Sequence, residues 1–187
     1  MNINEIFFYY INNNLQNPFF DAVMPFITDF GGFTGLLIIV IAIILYAKLR
    51  NRQTLKKIAI LALIALLFSD VIAYGLKIIV QEPRPFMTLD HVRLLIREDD
   101  LLAFPSGHAT STLAVVSLFL LNIEDLVKKH YVIVSILLVV FAVAILFSRI
   151  YCGVHYPFDV LAGALIGIAG ALVVNRFKDR IFSLLKL

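Results

Sequence analysis

Three polar clusters interrupt a chain that is otherwise dominated by leucine, isoleucine, valine, alanine and phenylalanine. In chain order they are Lys77 with Arg84-Pro85, then Pro105-Ser106-Gly107-His108, then Ser148-Arg149 with His155 and Asp159. Charged groups in or beside a bilayer are costly, and those that occur there usually have a function. Two histidines, three cations, a carboxylate and a glycine are together suited to phosphoryl transfer. The clusters therefore indicate phosphate chemistry at a membrane surface.

The first cluster supplies cations that could bind phosphate. An arginine fork binds phosphate oxygens bidentately, and a lysine adds a point charge. Pro83 and Pro85 flank Arg84, so a helix that carries Lys77 should end near this position. The alternative is that both side chains only extend from a helix end toward the interface.

The second cluster is predicted to form the first turn of a helix, with Pro105 in the first helical position. The free N–H groups of Ser106, Gly107 and His108 could then bind an anion at the positive end of that helix. Gly107 would permit a close approach, and the Ser106 hydroxyl would add a donor. An ordinary helix start with a surface histidine is the alternative.

The third cluster has the spacing expected for an oriented histidine. Pro157 should begin a helix and place Asp159 in its first turn, four residues after His155. The carboxylate could then bind one imidazole nitrogen, fix the tautomer and leave the other nitrogen free to attack. Arg149 would add a third cation. Taken singly, His155 could be an interfacial histidine and Asp159 a helix cap.

The segments that must position these clusters are typical of a membrane protein. The 187-residue chain is 61% hydrophobic with a mean hydropathy of +0.94, whereas soluble domains are about 45–50% apolar. A spanning helix needs about 20 apolar residues. Five segments qualify: residues 32–48, 58–80, 105–123, 131–148 and 157–175.

Residues 1–30 are interrupted by asparagines and prolines, while their apolar residues recur at helical spacing. Two helices in the membrane interface are therefore expected there, in preference to a sixth span. The predicted fold is an all-α, polytopic membrane helix bundle in one domain, residues 1–187. Residues 32–175 would form the bundle and residues 176–187 a cytoplasmic tail.

Basic residues predict the orientation. The first 32 residues contain none, and most lie between spans one and two, between spans three and four, or after span five. They are Lys48, Arg50, Arg52, Lys56, Lys57, Lys128, Lys129, Arg176, Lys178, Arg180 and Lys186. The positive-inside rule then puts the N-terminus outside and the C-terminus in the cytoplasm. This orientation predicts that all three polar clusters meet at the extracytoplasmic face of the plasma membrane. The structural alternatives given above for each cluster do not explain why all three share one face.

Other polar features are expected to be structural. Asp70 lies deep in the second span, where we expect it to bind a polar group of the bundle or to reach Lys77 through water. Cys152 is the only cysteine, which excludes an internal disulfide and favours a packing role. The acidic run Glu98-Asp99-Asp100 is expected to be solvated, with metal binding as the alternative. The net charge of +3 is small. We interpret it as the signal that orients the chain in the membrane, and not as a surface for nucleic acid.

Together the clusters resemble the three signatures of the type-2 phosphatidate phosphatase superfamily. Lys77-x6-Arg84-Pro85, Pro105-Ser106-Gly107-His108 and Ser148-Arg149-x5-His155-x3-Asp159 are complete and in the right order. The stretches 82–86, 104–106 and 155–161 are also similar to those of undecaprenyl-diphosphate phosphatases of the bacitracin-resistance type.

The resemblance implies a membrane lipid phosphatase that forms a phosphohistidine on His155. Asp159 would orient this nucleophile, and His108 would protonate the leaving group and then activate water. The phosphoryl oxygens would be held by Lys77, Arg84, Ser106, Gly107 and Arg149. The resemblance implies no metal and no other cofactor, since protein cations replace the metal clamp, and no obligatory protein partner.

Undecaprenyl diphosphate or a similar polyprenyl diphosphate is the first substrate expected, with phosphatidate, phosphatidylglycerol phosphate or diacylglycerol pyrophosphate as alternatives. A phosphotransferase with a lipid acceptor would use the same site. A transporter would place ionisable groups near mid-membrane, whereas only Asp70 lies deep in a predicted span. Vanadium-dependent haloperoxidases share the phosphate-site pattern, but they are soluble, which the composition opposes.

Overall fold

Apolar runs bounded by proline, glycine and asparagine give ten α-helices and one π-helical turn, without a β-strand. The computed structural model describes all 187 residues. The helices are α1 (Ile3–Tyr9), which continues as the π-helical turn Tyr10–Asn14, α2 (Pro18–Gly31), α3 (Phe33–Leu49), α4 (Gln53–Val80), α5 (Pro85–Thr88), α6 (Gly107–Leu121), α7 (Ile123–Leu126), α8 (Tyr131–Tyr151), α9 (Pro157–Arg176) and α10 (Lys178–Leu185). The predicted all-α class is confirmed.

Fewer helices meet the length and hydropathy requirements of a membrane span than the five that the sequence predicts. Three helices, α4, α8 and α9, are long and apolar enough to span a bilayer. Helices α2 and α3 meet the same test only as a pair, which bends by 62°. Helix α6 has 15 residues and rises about 22 Å, less than the roughly 30 Å hydrocarbon core. Length and composition therefore identify three or four spans, and they do not confirm the predicted five.

Several predicted boundaries move. Pro105 is not the first helical residue, because α6 begins at Gly107 and Ser106 is its N-cap, accepting a hydrogen bond from the Ala109 N–H. Helix α8 extends past residue 148 to Tyr151, which puts Arg149 in its last turn. Pro157 begins α9, as predicted.

Helix α6 lies at the centre of the bundle and contacts α2, α3, α4, α8 and α9. The largest group of buried apolar side chains joins α3, α4, α6 and α9; it includes Leu36, Val40, Leu61, Leu66, Leu118 and Ala171. Helix α8 instead leaves a row of large apolar side chains exposed: Ile133, Ile136, Leu137, Val140 and Val143. In a bilayer this face contacts lipid.

Glycines bring α9 close to α6. A Cβ atom at Gly163 would overlap the carbonyl oxygen of Ser106, and one at Gly167 would overlap that of Thr110. Small residues allow membrane helices to approach backbone to backbone. Because α6 begins next to His108 and α9 begins next to Asp159, this close approach sets the spacing of the polar residues at the two helix starts.

Gly167→Ala should therefore destabilise the bundle, while Gly75→Ala should not. The Gly167 methyl group would meet backbone that cannot rotate away, and overpacking of this kind costs about 1–3 kcal/mol. A Cβ at Gly75 meets no atom within 4 Å, and alanine is the better helix former by about 1 kcal/mol. Thermal unfolding of both variants in detergent micelles measures the difference. Equal melting temperatures for Gly167→Ala and the unsubstituted chain would contradict this account of α6–α9 packing.

Candidate active site

The eight residues singled out from the sequence come together at one end of the bundle. They are Lys77 at the end of α4, Arg84 before α5, Ser106, Gly107 and His108 at the start of α6, Arg149 at the end of α8, His155 before α9 and Asp159 in its first turn. The site is thus assembled from helix ends and the segments that join them.

His155 is held on both sides of its ring. Its Nδ1 atom lies 3.4 Å from Asp159 Oδ2, and its Nε2 atom lies 3.1 Å from a terminal nitrogen of Arg84. Arginine can only donate hydrogen bonds, so Nε2 must be the acceptor and the proton resides on Nδ1, facing Asp159. The same Asp159 oxygen accepts the Tyr156 N–H at 2.8 Å. The geometry therefore fixes a neutral imidazole whose Nε2 lone pair faces the cations.

The surroundings favour the neutral form of this histidine. The His155 side chain is 1% exposed, and its burial lowers the pKa well below the usual value for histidine. The cations Arg149, Arg84 and Lys77 lower that pKa further. A neutral imidazole keeps its lone pair at neutral pH, as a nucleophile requires.

The two guanidinium groups are almost fully buried and are anchored by the protein. Arg84, 3% exposed, donates to the carbonyl oxygen of Val154 at 2.9 Å. Arg149, 1% exposed, donates to the Thr28 hydroxyl at 2.7 Å, while its buried Nε has no hydrogen-bond partner. Thr28 was not predicted as a site residue, since one hydroxyl in the apolar helix α2 carries no distinguishing pattern.

The start of α6 differs in part from the prediction. The Ser106 N–H is not free, because it donates to the carbonyl oxygen of Asp159 at 3.0 Å. The N–H groups of Gly107 and His108 have no partner within the helix, as holds for any first turn. A Cβ at Gly107 would meet no atom within 4 Å. The helix start therefore keeps two donors and open space beside them, which suits an anion.

His108 is partly exposed and lies beside the bend between α2 and α3. A Cβ at Gly32 would lie 3.0 Å from His108 Nε2, so this bend forms a wall of the site.

Asp70 is not part of this arrangement. Its carboxylate accepts a hydrogen bond from the Ser111 hydroxyl at 2.8 Å inside the bundle, whereas Lys77 binds Asp100 and the carbonyl oxygen of Leu102.

The expectation that the acidic run is solvated is wrong for Glu98, whose side chain is 16% exposed. Glu98 pairs with Arg149 and, at 3.4 Å, with Arg84. Asp100 pairs with Lys77 at 2.6 Å and lies 3.6 Å from Arg84. Asp99 and Asp100 lie in solvent as predicted, with side chains 88% and 48% exposed, although Asp100 also pairs with cations. Two carboxylates thus lie against the cations of the site.

The N-terminal segment fixes the loop that carries these carboxylates, a role that sequence reasoning missed. The side chain of Asn12 is fully buried and binds both the N–H and the carbonyl oxygen of Arg93 at 2.9 Å. It also donates to the carbonyl oxygen of Tyr151 at 2.8 Å. Arg93 in turn forms an ion pair with Asp21 of α2. Helices α1 and α2 therefore connect the α5–α6 loop to the end of α8.

Known proteins share both the sequence pattern and the fold. A family profile described as the PAP2 superfamily matches residues 57–183, which include all three polar clusters. Undecaprenyl-diphosphatase BcrC of Bacillus subtilis (strain 168) is 31% identical over 164 residues, which cover 88% of this chain and 78% of that protein.

A second relative in the same organism, phosphatidylglycerophosphatase B, is 30% identical over 171 residues, which cover 89% of this chain and 79% of that protein. The crystal structure of a transmembrane PAP2-type phosphatidylglycerolphosphate phosphatase from Bacillus subtilis matches with a TM-score of 0.79 at 27% identity. The match covers 97% of this chain and 89% of that chain. The fold of the helix bundle is therefore shared with these proteins.

The state of His155 can be measured without any substrate. Because its pKa is lowered, we expect the neutral ring to take up a proton only well below pH 6.5, and to carry its proton on Nδ1 until then. Nitrogen-15 NMR of histidine-labelled protein in micelles reports both properties, and the signal missing from His155→Gln assigns the residue. A titration midpoint at or above pH 6.5, or a proton on Nε2, would contradict this electrostatic account.

Proposed function

This chain belongs to the PAP2 superfamily and is a membrane lipid phosphatase, and we propose that it hydrolyses a polyprenyl diphosphate to the monophosphate through a phosphohistidine. The observation that carries the proposal is the orientation of His155. Its Nδ1 faces Asp159 at 3.4 Å and its Nε2 faces Arg84 at 3.1 Å. A nucleophile held by one group and directed at cations is suited to attack a phosphoryl group.

In the first step, the lone pair of His155 Nε2 forms a bond to the terminal phosphorus. The bond from that phosphorus to the bridging oxygen breaks, and His108 donates a proton to this oxygen of the departing lipid monophosphate. The imidazole ring gains positive charge as the N–P bond forms, and the Asp159 carboxylate stabilises that charge through Nδ1–H.

In the second step, His108 takes a proton from water, and the water oxygen attacks phosphorus. The N–P bond breaks, its electron pair returns to His155, and inorganic phosphate leaves. Lys77, Arg84 and Arg149 would bind the equatorial oxygens in both steps, with the N–H groups at the start of α6 and the Ser106 hydroxyl. Protein cations aimed at the developing charge supply the stabilisation that such transfer needs.

The relatives support two substrates. BcrC is described as an undecaprenyl-diphosphatase and aligns with 88% of this chain, which favours undecaprenyl diphosphate. Phosphatidylglycerophosphatase B aligns with 89% of the chain, which makes phosphatidylglycerol phosphate the second candidate. Both lipids present a terminal phosphate monoester or diphosphate to the same residues.

We also propose five crossings, with α6 as the third, and an extracytoplasmic active site. The basic residues between α3 and α4 and after α9 lie at the opposite end of the bundle from the site. For example, Lys57 in the first turns of α4 lies 5.3 Å from the ring centroid of Phe182 in α10, while Lys77 ends the same helix at the site. The positive-inside rule then favours a cytoplasmic C-terminus and an N-terminus outside.

Replacing His155 should abolish turnover, and replacing His108 should strongly reduce it. His155→Ala removes the nucleophile and should leave no phosphate release above background; His108→Ala removes the acid and base and should lower kcat by about 10²–10⁴-fold. His130→Ala, in an exposed loop at the other end of the bundle, is the matched control and should retain full activity. Substrate labelled with ³²P in its terminal phosphate should give an acid-labile label on the unsubstituted enzyme and none on His155→Ala. Full activity of His155→Ala would refute the nucleophile assignment.

The substrate can be tested by comparing lipids presented in the same micelles. We expect the highest kcat/KM for undecaprenyl diphosphate, followed by phosphatidylglycerol phosphate, phosphatidate and diacylglycerol pyrophosphate. A higher value for phosphatidylglycerol phosphate would replace the first candidate by the second. The same assay detects phosphotransfer, because the label would then appear on a lipid acceptor and not as inorganic phosphate.

A further inference from the structure

The cations that should bind the substrate are already paired with carboxylates. Glu98 contacts both Arg149 and Arg84, and Asp100 contacts both Lys77 and Arg84. Carboxylates and phosphates bind guanidinium groups through the same pairs of N–H donors. The two acidic side chains therefore occupy the donors that a phosphate group would use.

Apart from the unpaired Nε of Arg149, the remaining donors of the two arginines bind groups of the protein itself. Arg84 directs its Nη1 at Val154 and His155 and its Nε at the carbonyl oxygen of Asp100. Its Nη2 contacts only the two carboxylates. Arg149 likewise directs Nη1 at Thr28 and Nη2 at Glu98. A phosphate that binds the two Nη2 groups must take the place of Glu98.

The segment that carries Glu98 is held almost entirely by its side chains. Its flanks are fixed by backbone hydrogen bonds, from Leu95 N–H to the carbonyl oxygen of Cys152 and from Arg84 N–H to that of Leu101. The backbone groups of residues 96–99 form no hydrogen bond to other backbone groups. A short stretch with fixed ends and no backbone pairing can open locally at small cost.

We propose that Glu98 and Asp100 form a carboxylate gate, which the phosphate group of the substrate displaces, and that Glu98 thereby sets the affinity of the site for phosphate. This inference rests on the proposed phosphatase site. With the gate closed, the buried guanidinium groups have counter-ions, whose loss would otherwise be costly. Opening requires a ligand that replaces two carboxylates, which a terminal phosphate or diphosphate does and a neutral headgroup does not.

Glu98→Gln keeps the shape of the side chain and removes the competing charge. The apparent affinity for a ligand falls in proportion to the fraction of protein whose gate is open. We therefore expect orthovanadate and inorganic phosphate to inhibit Glu98→Gln at concentrations about five- to tenfold lower than those that inhibit the unsubstituted enzyme. KM for the lipid should fall as well. Asp99→Asn removes the same charge from an exposed neighbour that touches none of the three cations, and it should leave both quantities unchanged. Unchanged or weaker inhibition of Glu98→Gln would overturn the proposal.

A second measurement does not depend on the stability of Glu98→Gln. A spin label on Asp99→Cys reports the motion of the gate, while the native Cys152 is fully buried and shielded from the reagent. We expect orthovanadate to increase the mobility of this label, with half-saturation at its inhibitory concentration. A label on Lys128→Cys, in the loop at the other end of the bundle, should not respond. An immobile Asp99→Cys label at saturating orthovanadate would overturn the gate.

The two proposals fail in different ways. The label decides the gate, because its response to orthovanadate does not require turnover. Phosphate release from lipids decides the proposed function. An enzyme that releases phosphate and is inhibited by orthovanadate while its label stays immobile would retain the function and lose the gate.

Discussion

The structure depends on burying positive charge at one end of an apolar bundle. The guanidinium groups of Arg84 and Arg149 are 3% and 1% exposed, and a buried charge without partners is strongly destabilising. Every element around them supplies an acceptor: a carbonyl from the α8–α9 turn, a hydroxyl from α2 and carboxylates from the α5–α6 loop. The same partners hold the cations in place at the proposed phosphate site, so the groups that stabilise the buried charges are also those proposed to act in function.

This constraint explains the N-terminal helices and the loop before α6. Asn12 and Asp21 contribute no reacting group, yet they hold Arg93 and through it the segment that carries Glu98. The bend at Gly32 leaves room for His108. The N-terminal segment therefore contributes to the arrangement of the cations although it carries no proposed reacting group.

His155, the proposed nucleophile, is positioned by a more local arrangement. His155 and Asp159 are four residues apart and are joined across the start of α9. The carbonyl oxygen of the same Asp159 binds the N-cap residue of α6. Asp159 therefore links the histidine at the start of α9 to the first turn of α6, and the glycines between α6 and α9 keep the two helix starts at that distance.

The sequence alone determined the helical class, the residues of the three clusters and their common end of the bundle, and the local pair of His155 and Asp159. These follow from short-range rules: hydrophobic length, the positions of proline and the geometry of one helical turn. Only the tertiary structure decided the partners of the charges. Thr28 meets Arg149 across 121 residues, Asn12 meets Arg93 across 81 and Glu98 meets Arg149 across 51. The sequence does not distinguish one carboxylate of the acidic run from its neighbour. The path of the backbone places Glu98 against the buried cations and Asp99 in solvent.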